Sequence, residues 1–232
     1  RQRRPLIGLA LLLSMGACAE PVPRQLKVMV LYGLSGKGDL SWNDTAYLGV
    51  LKGADAVGAD VVEATPQSND EAAAIFHSWL ASPLQSANEL IISLSHTYTN
   101  MITEQGCIEG RRRILHFESS LPECDNFTTV QYRVFAPAYL AGVASMALSN
   151  TQQAAALGGL RIPPVQEFVE GFSAGVEAAG GETEVDYLRA ADNGFANPLL
   201  GRERAEEFFR EADVVFPVAG GTGLGVIEAA KK

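Results

Sequence analysis

Cysteine, histidine and tryptophan are scarce in this 232-residue chain, at three, three and two copies. So few sulfur and imidazole groups leave little from which to build a metal centre. His116-Phe117-Glu118 imitates the H-x-E of zinc deaminases, but no C-x-x-C follows, and Cys107 and Cys124 lack zinc-finger spacing. No metal and no cofactor is expected. Cations are also in deficit, 18 Lys and Arg against 27 Asp and Glu, and three of them are Arg1, Arg3 and Arg4. A body this acidic does not neutralise phosphates, which argues against binding DNA or RNA. No apolar run reaches the roughly 20 residues of a membrane-spanning helix. Phosphate-loop signatures are missing as well, because Gly36-Lys37-Gly38 has no following Ser or Thr and no G-x-G-x-x-G occurs. No Ser/His/Asp or Asp-rich constellation marks a nucleophile and its base. What remains is ample apolar material, 47% of the chain, with 23 Gly and 11 Pro, the make-up of a globular protein.

The first eighteen residues read as an export signal. A basic start is followed by an apolar stretch from Pro5 to Met15, the length of a signal-peptide core. Met15-Gly16-Ala17-Cys18 then resembles a bacterial lipobox, which makes Cys18 the lipidated residue and residues 19–25 a tether. The expected location is the cell envelope, with the chain held at a membrane by lipid. Cys107 and Cys124 are then the remaining pair in an oxidising compartment. Spacing alone leaves open whether they are bridged or separate thiols.

From Leu26 onward short Val/Ile/Leu-rich runs alternate with helical periods. Strands are expected at Leu26–Tyr32, Ala59–Glu63, Glu89–Ser95, Ile114–Glu118, Thr129–Val134, Ala154–Gly159, Thr183–Arg189 and Asp213–Val218. The clearest helix runs from Pro164 to Ala179, with Val165, Phe168, Val169, Phe172 and Val176 on one face and Gly180-Gly181 beyond its end. Such alternation predicts βαβ units, parallel sheets and an α/β fold. A composition shift near Tyr132 to Ala136 divides the series into two Rossmann-like lobes, 26–134 and 135–232.

Ligands of open α/β sheets bind beyond the carboxyl ends of the strands. The loop after the first strand carries Asp39, Trp42 and Asn43, the loop after the seventh carries Phe195, and the eighth strand ends in Gly220-Gly221-Thr222. Each of the first two pairs an aromatic with polar groups. The glycine turn offers free backbone N–H groups, though by itself it reads rather as a bland strand-to-helix connection. Arg111-Arg112-Arg113, just ahead of a strand, reads as a solvated charge run.

Gly158-Gly159-Leu160-Arg161-Ile162-Pro163-Pro164-Val165-Gln166, Gly171-Phe172 and Phe216-Pro217-Val218-Ala219-Gly220-Gly221-Thr222-Gly223-Leu224-Gly225 resemble the basic membrane protein family of ABC-transporter substrate-binding lipoproteins. Asp39-Leu40-Ser41-Trp42-Asn43 and Tyr139-Leu140-Ala141-Gly142-Val143-Ala144 are similar to two further family segments. The resemblance implies a type I periplasmic-binding-protein fold that holds a nucleoside, commonly a purine, between its lobes and hands it to a permease. It places Trp42 where the family stacks an aromatic on the base, with Asn43 beside it. Phe195 matches a second aromatic, Glu118 stands where the family has an Asp, and Gly220, Gly221 and Thr222 fall near the ribose. The Asp that the family carries directly after the first strand is replaced by Tyr32-Gly33. The resemblance also implies a chain truncated at its C-terminus. Two other functions share the same features, a ligand-sensing subunit of this fold and an exported nucleoside-processing enzyme.

Overall fold

The computed structural model describes residues 26–83, 88–109, 112–119 and 124–231. Cys18, the signal segment, the tether and Arg111 lie outside them. Two parallel sheets follow one another along the chain. In the first, β1 (Lys27–Leu31), β2 (Asp60–Ala64), β3 (Glu89–Ser93), β4 (Arg113–Phe117) and β5 (Phe127–Val130) are ordered β2-β1-β3-β4-β5. The second is β7-β6-β8, from β6 (Gln153–Gly158), β7 (Glu182–Tyr187) and β8 (Val214–Val218). The fold is α/β with parallel sheets, as the strand and helix alternation predicts, and each sheet with its helices forms a lobe.

Helices α1 (Trp42–Val57), α2 (Asn69–Ala81) and α3 (Thr99–Glu109) flank the first sheet. Met29, Leu31, Phe76, Ile91, Tyr98, Ile102 and Ile114 form the core on the α2/α3 side, while Val28, Val30, Tyr32 and Leu94 face α1. This follows from the period of two along β1, which is apolar on both faces because a parallel strand is covered on both. Cys107 of α3 is joined to Cys124 by a disulfide, with Cα atoms 6.0 Å apart.

The second lobe contains α4 (Phe135–Leu148), α5 (Pro163–Ala178), α6 (Pro198–Phe208) and α7 (Gly223–Ala229). Val165, Val169, Phe172 and Val176 of α5 are buried, as their spacing predicts, and Phe172 stacks on Phe216 at 4.5 Å. Helices α4 and α5 touch backbone to backbone. A Cβ on Gly142 would strike the Phe172 carbonyl, one on Gly175 the Tyr139 carbonyl and one on Gly171 the backbone of Phe135. Only glycine permits that approach.

Two readings need correction. Strand β5 ends at Val130 rather than Val134, its last ladder bond running from Glu118 N to Val130 O. The α5 carboxylate of Glu167 accepts hydrogen bonds from Val134 N and Phe135 N, which starts α4 instead. Arg112 is no solvated residue. It is 3% exposed, and its guanidinium donates to Glu89, to the carbonyls of Leu80 and Ser82 and to the Ser82 hydroxyl. Those partners, at the end of α2 and the start of β3, engage each of its three nitrogens, which is why the charge can be buried.

Candidate functional site

The loops after β1, β3, β4, β6, β7 and β8 meet around a cavity of about 570 Å³ between the lobes. Those loops occupy the carboxyl ends of both sheets, where chain connections diverge to either side of a central strand and leave a crevice. Trp42, Asn43, Asp39, Glu118, Phe195 and Gly220 all line it.

Asp39 organises the first wall. Its carboxylate accepts from the backbone N–H groups of Ser41, Asn43 and Asp44 at 3.0, 3.1 and 3.2 Å, supplying the N-terminal cap that the Ser41 side chain does not. Asn43 adds to this lattice. It accepts from Gly33 N at 2.9 Å and donates to the Ser35 hydroxyl and to Asp39. Both residues are almost wholly buried. Their hydrogen-bonding capacity goes largely into holding the 33–44 loop, so they shape the cavity more than they reach into it.

Trp42 opens α1 and is fixed by its indole N–H, which donates to the Leu94 carbonyl at 2.6 Å. Phe117 and Tyr132 meet it edge-on, at 6.2 and 5.9 Å between ring centroids. On the opposite lobe, Phe195 packs against the Val165–Phe172 core, and its ring lies over the face of Gly159, where a Cβ would collide with it. Gly220 takes a φ of 52° and turns the chain beside Phe195 and Ser35. Gly221 and Thr222 do not line the cavity. Thr222 is buried behind it, because its hydroxyl accepts the Asn197 N–H at 2.8 Å and fixes the start of α6.

Glu118 is the charged group most altered by this setting. Burial, and secondly the nearby Glu167 carboxylate, push its carboxyl up to about 7. Its backbone is left-handed, φ 66°, and its carbonyl pairs with His96 Nδ1 at 2.6 Å. Among the described residues nothing hydrogen-bonds its carboxyl oxygens, which leaves them for an occupant of the cavity. His116, one residue before Phe117, is different. It is fully buried, burial lowers its imidazole to about 4, and it stays neutral beside Thr99. No group of three or more His, Cys, Asp or Glu among the described residues could hold a metal ion.

Further wall residues carry little signal in sequence. His96 follows β3, and its place at a strand's carboxyl end is the one cue to it; Phe168 shares the apolar face of α5, yet it borders the cavity together with Leu160, Ile162 and Phe216. No local signal separates an aromatic that faces a core from one that faces a crevice, since both leave water.

The crystal structure of an ABC-transporter solute-binding protein from Aeropyrum pernix superposes with a TM-score of 0.80 at 27% identity, over 89% of this chain and 58% of that one. Two α/β lobes with a crevice at their strand ends are the architecture this chain shares with that solute-binding protein. Within that class, the family model for PnrA-like ABC transporter substrate-binding proteins matches residues 26–232, and the chain belongs to this family. The family is one of binding proteins, not enzymes. Relatives include a CD4+ T-cell-stimulating antigen of Listeria monocytogenes, 26% identical over 90% of this chain and 58% of the relative. Another is the ABC transporter nucleoside-binding protein BmpA of Lactococcus lactis, 22% identical over 90% and 60% respectively. Others are named lipoproteins or basic membrane proteins. The chain thus spans about 58% of the length of the first of these relatives. No helix among the described residues is long and apolar enough to cross a membrane.

Proposed function

We propose that the protein binds a nucleoside, most naturally a purine nucleoside, in the interlobe cavity and delivers it to an ABC permease, held at the membrane by lipid on Cys18. The observation that carries this is the cavity wall. It sets an indole and a phenyl ring, Trp42 and Phe195, on opposite lobes, and the carboxyl of Glu118, which has no hydrogen-bond partner among the described residues, at the end of β4. A purine has two π faces and an edge of donors and acceptors, which aromatic rings and a carboxyl serve. No Lys or Arg is among the described lining residues, so nothing there compensates a phosphate, and the favoured ligand is uncharged. The name of the Lactococcus relative points the same way.

Calorimetric titration with inosine, guanosine and adenosine, against the corresponding monophosphates and free ribose, tests this. Binding of nucleosides in preference to both controls is expected. Tight ribose binding with no contribution from the base would remove the nucleoside assignment.

A further inference from the structure

Trp42 stands, with Thr45 and Leu94, between the proposed nucleoside cavity and a second, apolar cavity of about 420 Å³, bordering both. Among the described residues its indole is held by a hydrogen bond to the Leu94 carbonyl and by near-perpendicular contacts with two aromatic rings. Of these rings, Phe117 belongs to β4, whereas Tyr132 lies in the four-residue connection between β5 and α4 that carries the chain from the first lobe into the second. Tyr132 is half exposed and stacks on Phe117 at 6.4 Å with 25° between planes. Its plane meets that of Trp42 at 85°. That near-perpendicular contact sets the positive rim of one ring against the negative face of the other, which is directional. The interlobe connection is thereby in contact with the ring that borders the ligand.

We infer that Tyr132 is a positioning residue for the ligand platform, fixing the pose of Trp42 from the interlobe connection. It touches the platform, not the ligand, since it lines the second cavity alone. The inference rests on the reading of Trp42 as a stacking ring. Its consequence is that movement of the lobes about the connection alters the platform, and that an occupant stacked on Trp42 reports back to the connection.

A double-mutant cycle in the protein separates a ring that acts through Trp42 from one that merely supports the fold. Tyr132→Ala is expected to weaken inosine binding about 2-fold to 10-fold, the range of an edge-on aromatic pair. In a Trp42→Ala background the same change should cost nothing further, and Tyr132→Phe, which keeps the ring, should restore binding. Equal loss in both backgrounds overturns the inference. Fluorescence supplies a ligand-free readout. With Trp79→Phe, Trp42 is the one remaining indole, and Tyr132→Ala should lower its anisotropy while Tyr132→Phe does not. Unchanged anisotropy would overturn the inference whether or not inosine binds. Failure of the wild type to bind any nucleoside with the anisotropy change present would instead reject the nucleoside reading alone.

Discussion

Arg112 donates its Nε proton to Glu89 at 2.7 Å, and both side chains are 3% exposed or less. The pair lies at the amino ends of β3 and β4, the opposite edge of the sheet from the ligand cavity. Removing one member takes from the other a fully buried ion-pair partner, at a cost of about 3 to 5 kcal/mol. Arg112→Met should therefore lower the chemical denaturation midpoint sharply, and adding Glu89→Leu should recover part of the loss. Nucleoside affinity of the folded fraction should be unchanged. A midpoint shift equivalent to less than about 1 kcal/mol would show that the pair is not desolvated.

Truncating either ring of the cavity should weaken binding. Base stacking on an aromatic contributes roughly 1 to 3 kcal/mol by alanine substitution, so Trp42→Ala and Phe195→Ala should each raise Kd about 5-fold to 150-fold. The two are not equivalent for the fold. Phe195 covers Gly159 and the α5 core, so its loss should also lower Tm, whereas Trp42→Ala should lower it less. Calorimetry and thermal unfolding on the same samples check both.

Glu118 should make binding depend on pH. Below about 7 its carboxyl is protonated and above it ionised. A nucleoside that presents N–H or O–H groups to it favours the ionised form, so affinity should rise about tenfold from pH 6 to pH 8. Stability runs the other way. The folded state holds this proton more tightly than an unfolded carboxyl does, so its contribution is complete below about 4.5 and is lost as pH rises toward 7. Glu118→Gln should flatten both profiles. A pH dependence that survives in Glu118→Gln would show that Glu118 is not its source.

The Cys107–Cys124 bridge closes a loop of 17 residues that contains Glu118. Loop-closure entropy for that length gives about 3 kcal/mol. The Cys107→Ala/Cys124→Ala protein should be destabilised by that order and should bind nucleoside more weakly, because the segment beyond Glu118 is less restrained. Equal affinity with reduced stability would mean that the bridge supports the lobe without ordering the site.

Much of this protein is legible in its sequence because the signals are local. Apolar runs separated by helical periods specify parallel β/α units, and the spacing of Val165, Phe168, Val169, Phe172 and Val176 settles α5 without reference to anything distant. The same holds for the site loops, since strand ends locate a crevice before the strands are ordered. The tertiary structure alone decided what depends on residues far apart in the chain. Arg112 reads as solvated until Glu89 and the Leu80 and Ser82 carbonyls surround it. Val134 reads as strand until Glu167, thirty-three positions on, accepts its N–H. The Thr222 hydroxyl accepts the Asn197 N–H, and Asp39 and Asn43 tie down their own loop while lining the cavity. In each case a polar group is committed by the nearest partner in space, and a hydrogen bond of about 3 Å carries no trace in sequence of the residue at its other end.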